Sequence, residues 1–243
     1  MTNVYLQPGD APGIHTVPAE RAVQWLQGGW RQFLVAPGVW IALSLALLVI
    51  HFGLALVPVV GSLAAVVLTP VLAGGLMAGC AAIDRGEPLR FDHLFAGFRT
   101  STGRLATVGI VQLIVIGAIV LLIFLVGGGA MVGGVMGHGV GVGATVALGG
   151  LLLAAMLGLL LLVPLTMALW FAPALVMLSD MAALDAMKAS FAGCLRNWLP
   201  FLVYSLVLCV LLVLVPLTLG LALLAFIPVM TASIYLSYRD IFH

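Results

Sequence analysis

At 243 residues, with 64% hydrophobic and 7% charged side chains, the chain is too apolar for a soluble domain, in which roughly a quarter of residues carry charge. A formal net charge of +1 is uninformative about acidic partners, and no nucleic acid is expected as a partner. The distribution says more than the total: all nine basic and eight acidic residues fall within 10–31, 84–104, 180–196 and 239–240.

The intervals 32–83, 105–179 and 197–238 carry no formal charge. A hydrocarbon core about 30 Å thick takes roughly 20 residues per helical crossing. Each interval therefore has room to cross twice and return. The expected fold is all-α, a polytopic transmembrane bundle of six membrane helices in three hairpins with interfacial amphipathic helices. The crossings fall near 40–57, 61–83, 105–126, 150–172, 199–215 and 218–238. Every basic residue then lies on one face, which the positive-inside rule makes cytoplasmic. A bacterial inner membrane with both termini in the cytoplasm is the expected setting.

Residues 1–18, with Pro8, Gly9, Pro12, Gly13 and Pro18, predict a mobile tail ahead of a single membrane domain over 19–243. No secretory signal pattern precedes the first apolar run. Over 20–36, Val23, Leu26, Trp30, Phe33 and Leu34 recur at helical spacing between Arg21, Gln24, Gln27 and Arg31. That pattern predicts a helix lying in the interface plane. Pro37 and Gly38 separate it from the first crossing, and Val57, Pro58 and Gly61 mark the turn to the second.

A second amphipathic piece comes next, with Phe91, Leu94, Phe95 and Phe98 among Arg90, Asp92 and Arg99. Ser101 or Thr102 is placed to cap the third helix. Nine of the seventeen residues 127–143 are glycine, and each costs about 1 kcal/mol in a helix, so 127–149 reads as an extracytoplasmic loop. Pro164 interrupts the fourth helix. A third amphipathic piece spans 181–198, with Leu184, Met187, Phe191, Leu195 and Trp198 on one face. Cys80, Cys194 and Cys209 show no paired spacing and read as packing residues.

The pattern repeats. Val57 and Pro58 are followed twelve residues later by Pro70, and Val215 and Pro216 twelve later by Pro228. Each pair comes after an amphipathic segment, which predicts three parallel copies of one unit. The middle copy is the most altered, because Pro164 and Pro173 do not match.

The run from Val17 to Phe98 resembles an uncharacterised family of proteobacterial six-helix inner-membrane proteins. The resemblance is carried by the Pro-Val-Val-Gly turn at 58–61, Thr69-Pro70, Gly74, Gly75, and the loop from Gly86-Glu87-Pro88 to Asp92-His93-Leu94-Phe95. Ala168 to Ala174, Ala186 to Phe191, Asn197 to Tyr204 and Tyr235 to Phe242 resemble the same family. More distantly, the chain is similar to the membrane part of some glycerophosphodiester phosphodiesterases. The resemblance implies an inner-membrane setting and no assigned activity.

Few residues compete for a functional role. His51 lies inside the first membrane helix, where an ionisable group is a functional candidate. No carboxylate lies in any of the expected membrane helices. Gln112, Thr69, Thr166, Tyr204 and Ser205 read as interhelical hydrogen-bonding groups. Arg99 and Arg104 bracket Thr100, Ser101 and Thr102, a candidate contact for lipid headgroups. Gly75 and Gly79 form a small-xxx-small pair for close helix packing. Met131, Met136 and His138 are soft donors on the glycine-rich stretch, but nothing fixes their geometry, so no metal and no cofactor is expected. Asp92 and His93 are adjacent without a third partner, so no enzyme is expected.

The expected role is a non-enzymatic accessory or scaffold protein that contacts envelope lipids. The expected partners are membrane lipids, with a membrane-protein partner or a homo-oligomer beyond them. The alternative is a transporter or channel for a neutral or amphiphilic small molecule, resting on His51 and the kinking prolines.

Overall fold

The computed structural model describes residues 13–130, 132 and 140–243. Met131, Met136 and His138 lie outside the described residues, as do residues 1–12 of the expected tail. Every regular element among the described residues is helical.

In chain order these are α1 (Arg21–Val35), α2 (Pro37–Ala55), α3 (Val60–Asp84), a 3-10 turn (Phe91–Phe95), α4 (Ala96–Thr100) and α5 (Thr102–Ile123). α5 runs on through a π-helical turn, Phe124–Gly128. Then come α6 (Val140–Trp170), α7 (Ala172–Leu178), α8 (Ala183–Arg196), α9 (Trp198–Leu212), α10 (Leu214–Leu217) and α11 (Leu223–Phe242). Five helical stretches are long and apolar enough to cross a membrane: Pro37–Ala55, Val60–Asp84, Thr102–Gly128, Ala144–Leu178 and Trp198–Leu217. α11 is not one of them. Its second half carries Ser233, Tyr235, Ser237, Tyr238, Arg239 and Asp240, a polar load that cancels the apolar start.

Single residues separate two of the amphipathic helices from the apolar helices after them. Ala36, at φ −147°, parts α1 from α2, and Pro37 opens α2 where its missing N–H costs nothing. Asn197, at φ −112°, parts α8 from α9. Ser101 occupies the N-cap position of α5 without a side-chain cap bond, and the Thr102 hydroxyl donates back to the Phe98 carbonyl at 2.6 Å.

Two further expectations are revised. The described parts of the expected loop 127–149, Gly127–Ala130 and 140–149, are helical. Glycine's helix penalty is measured in water, whereas in lipid a helix is the local way to bond every backbone N–H and C=O. The glycines then let α5 and α6 approach, with Gly127 beside Ala154 and Gly158 beside Ile123. The described part of the expected tail, residues 13–18, is held in place. Val17 N–H donates to Asn197 Oδ1 at 2.9 Å, Asn197 Nδ2 donates to the His15 carbonyl at 2.9 Å, and His15 N–H donates to the Ile241 carbonyl at 2.7 Å.

The core gathers at the charged end of the bundle. Trp25, Trp40, Leu94, Leu105, Phe171, Leu175, Tyr204, Tyr238 and Phe242 are all buried there. At the other end Phe52, Leu56, Phe124, Leu160 and Leu217 are exposed. α3 is central: 61% of its apolar window is buried, against 11–17% in the other four membrane-length stretches. It packs on α5, α7 and α11, while Phe171 at the α6–α7 junction packs against Phe242 and Ser179 at the end of α7 bonds Tyr238.

Candidate lipid-facing site

Three amphipathic segments close a ring around the central helices. α1 packs on α11, the 3-10 turn and α4 pack on α3, and α8 packs on α6 and α7. Each docks by a small residue against a backbone carbonyl. A Cβ on Gly29 would lie 2.5 Å from the Val229 carbonyl oxygen, and one on Gly97 would collide with the Val71 carbonyl. Ser190 uses its hydroxyl instead, donating to the Met167 carbonyl at 2.7 Å and accepting from Phe171 N–H at 2.9 Å.

The three sequences align on this contact: Leu26-Gln27-Gly28-Gly29-Trp30-Arg31, Leu94-Phe95-Ala96-Gly97-Phe98-Arg99 and Met187-Lys188-Ala189-Ser190-Phe191-Ala192. Leu26, Gly29 and Phe33 are buried, as are Leu94, Gly97 and Ser101, and Met187, Ser190 and Cys194. Val71 and Val229 each come directly after a helix-interior proline, Pro70 and Pro228.

α1 therefore runs lengthwise along α11 rather than flat across it. Its contacts climb from Trp25, whose indole N–H donates to Asp240 at 2.7 Å, through Gly28 beside Leu236, to Gly29 beside Val229. Trp25 also leads an aromatic cluster, with Phe201 at 5.6 Å and Tyr204 at 6.3 Å between ring centroids.

Between α1, α9 and α11 lies a groove of about 460 Å³ lined by Leu26, Gln27, Trp30, Arg31, Leu211 and Val229. Its wall is apolar and its rim cationic. Among the described residues Arg31 has no hydrogen bond or ion pair, whereas the headgroup candidates Arg99 and Arg104 are engaged by acids. Arg104 pairs with Asp180 at 2.5 Å, and Arg99 lies 3.6 Å from Asp92. Composition alone does not flag Arg31, because which arginine meets an acid depends on contacts distant in sequence.

The remaining candidates fall elsewhere. Gly75 and Gly79 receive the 85–95 loop rather than a neighbouring membrane helix: a Cβ on Gly79 would lie 2.8 Å from Leu89, and one on Gly75 would strike the Leu94 carbonyl. His93 Nδ1 accepts from Arg90 N–H at 3.0 Å, and Asp92 pairs with Arg90 at 3.2 Å. Among the described residues no group of three or more His, Cys, Asp or Glu could hold a metal ion.

His51 sits half-buried with Nδ1 2.9 Å from the Leu47 carbonyl and Nε2 3.2 Å from the Thr69 hydroxyl. A carbonyl only accepts, so in the neutral ring Nδ1 carries the proton. The single Thr69 hydroxyl proton is then shared between Nε2 and the Ala65 carbonyl at 2.7 Å. His51→Ala is expected to cost about 0.6 kcal/mol, and no more than about 1.7, as membrane hydrogen bonds do. Thermal unfolding in detergent measures it.

At the charged end, His243 Nε2 lies 2.9 Å from the Tyr238 hydroxyl, itself 2.7 Å from Ser179. Burial, and then nearby His15, lower the His243 pKa below its ordinary 6.5. A lowered folded value makes the contribution complete above pH 6.5 and lost as pH falls through the lowered value. Unfolding curves between about pH 7.5 and 5 should show that loss, and His243→Gln should flatten it. Burial also pushes the Cys194 thiol up to about 12.

No protein-family model and no solved structure matches the chain. A "Probable inner membrane protein" of Burkholderia thailandensis is 30% identical over 196 residues, covering 78% of this chain and 73% of the relative. The expected likeness to glycerophosphodiester phosphodiesterases gains no support from these comparisons. At that identity and coverage, the chain belongs to the same family as this inner membrane protein.

Proposed function

We propose that this is a non-enzymatic inner-membrane protein that holds phospholipid of the cytoplasmic leaflet against its charged end. The observation that carries the reading is the groove lined by Arg31, a guanidinium without a partner among the described residues, beside an apolar wall of Leu26, Leu211 and Val229. A phosphate at the rim with an acyl chain along the wall satisfies both, since arginine bonds phosphate with a planar fork and apolar surface prefers hydrocarbon. Trp30 beside it suits the headgroup level.

In this reading the chain is three copies of one unit, a docking helix and then a membrane hairpin. Each hairpin enters from the cytoplasmic side and returns to it. The ring of contacts at Gly29, Gly97 and Ser190 supports the triplication. The confinement of basic residues to one end supports the orientation.

Lipid retained by purified protein tests the groove. Arg31→Ala should lose anionic phospholipid relative to the wild type, and Arg31→Lys should keep part of it, because the charge remains without the fork. Equal retention in all three, measured by mass spectrometry of extracted lipid, overturns the reading.

A further inference from the structure

We infer that the first and third helical pairs, α2–α3 and α9–α11, dip into the cytoplasmic leaflet without reaching the far side, so that only α5 and α6 cross the bilayer. The inference rests on the cytoplasmic placement proposed above and adds a depth to it. Length and composition suit α2, α3 and α9 to crossing, but their register does not.

The contacts between helices set their relative heights: Gly74 of α3 lies against Leu105 of α5, Gly127 after α5 against Ala154 of α6, and Gly158 of α6 against Ile123 of α5. α5 and α6 therefore climb together, α6 running 18 residues from Gly158 to Val140, about 27 Å at 1.5 Å per residue. α11 runs only 12 residues, about 18 Å, from Tyr235, which bonds Asp84 at the end of α3, to Leu223. α3 is shorter than α5 above their shared contact. Gly109 lies against Val66 and Val67, and from there α5 with its π-helical turn continues about 28 Å to Gly128 while α3 has about 10 Å left. Against a core about 30 Å thick, the long pair spans and the short pairs end near its middle.

The two short tips are built for hydrocarbon. Residues 52–61 and 210–225 contain no charged side chain, and Val59 and Leu219 are 70% and 95% exposed. A turn in water leaves donors to solvent, whereas a turn in lipid must bond them internally. In the third pair the N–H groups of Thr218, Leu219, Gly220, Leu221, Leu223, Leu224, Ala225 and Phe226 all meet backbone carbonyls, and that of Ala222 meets the Thr218 hydroxyl. In the first, Leu56, Val57, Val60, Gly61 and Leu63 are bonded likewise, while the N–H groups of Val59 and Ser62 meet no backbone carbonyl among the described residues.

That closure is held at a conformational cost. Val59 at φ 62° and Leu219 at φ 51° are side-chain-bearing residues in the left-handed region, a backbone state L side chains rarely adopt. At Val59 the strain lets Val60 N–H reach the Pro58 carbonyl at 2.7 Å. The surface these tips present fits acyl chains, and the protein displaces more lipid from the cytoplasmic leaflet than from the outer one.

Single-cysteine labelling tests the depth. The exposed Cys209 is replaced by serine, and Cys80 and Cys194 stay because they are buried. Cysteines are placed at Val59, Leu219, Val132 and Lys188, and cells, spheroplasts and inside-out vesicles are treated with a membrane-impermeant maleimide. Val132→Cys should label from the periplasm and Lys188→Cys from the cytoplasm. Val59→Cys and Leu219→Cys should lose labelling from both sides and regain it once detergent dissolves the bilayer. Labelling of either tip from the side opposite Lys188→Cys overturns the shallow insertion. Labelling of Lys188→Cys from the periplasm overturns the leaflet assigned here. Neither result bears on whether Arg31 retains lipid, so the groove stands or falls by its own measurement.

Discussion

Trp25→Ala is expected to destabilise the protein by about 3–5 kcal/mol, the range for removing a large aromatic from a packed core. Trp25 is 2% exposed and sits where α1, α9 and α11 converge, its ring against Phe201 and Tyr204. Its indole N–H donates to Asp240 at 2.7 Å, and Arg21 meets the same carboxylate oxygen at 2.7 Å. Truncation opens a cavity and removes one donor. Trp25→Phe separates the two effects: most of the packing remains, and Asp240 keeps Arg21, so the cost should fall to about 1 kcal/mol. Unfolding followed by circular dichroism in detergent checks both. Equal losses for the two variants would show that the hydrogen bond, and not the ring, carries the stability.

Gly97→Leu should be the second large effect, at about 1–3 kcal/mol or more, because overpacking forces backbone to move. Even the Cβ would meet the Val71 carbonyl, and the rest of the side chain would run into Leu105. The opposing atom is backbone, which yields less readily than a side-chain end. α4 should lift from α3 and carry the 85–95 loop away from Gly75 and Gly79. The readout is faster proteolysis between Arg85 and Arg99 beside a lowered melting point. Gly38→Leu is the control, since nothing lies within 4 Å of that position. If Gly97→Leu behaves like Gly38→Leu, the docking contact does not hold the ring together.

Some of this architecture is legible in residues alone. Helix ends obey local chemistry: Pro37 opens α2, and the apolar runs from 37 to 55 and 60 to 84 are read within a few residues. The described parts of the glycine-rich stretch are misread because helix propensities learned in water do not rank residues in lipid. The site is half legible. Arg99 and Arg104 stand out by sequence position, but Asp92 and Asp180 occupy them. Arg31 looks the same in sequence and is left without a partner among the described residues.

What the sequence determines by itself is the partition between lipid and water, and with it a helical architecture whose charged residues fall in four short stretches. Hydrocarbon excludes ions and unbonded backbone whatever the fold, so composition over each window suffices. What only the tertiary structure decides is the docking order, α1 on α11, α4 on α3 and α8 on α6, and how far each pair rises above that ring. Those depend on which small residue meets which distant carbonyl, a shape match between segments up to some 200 residues apart that no window of sequence contains.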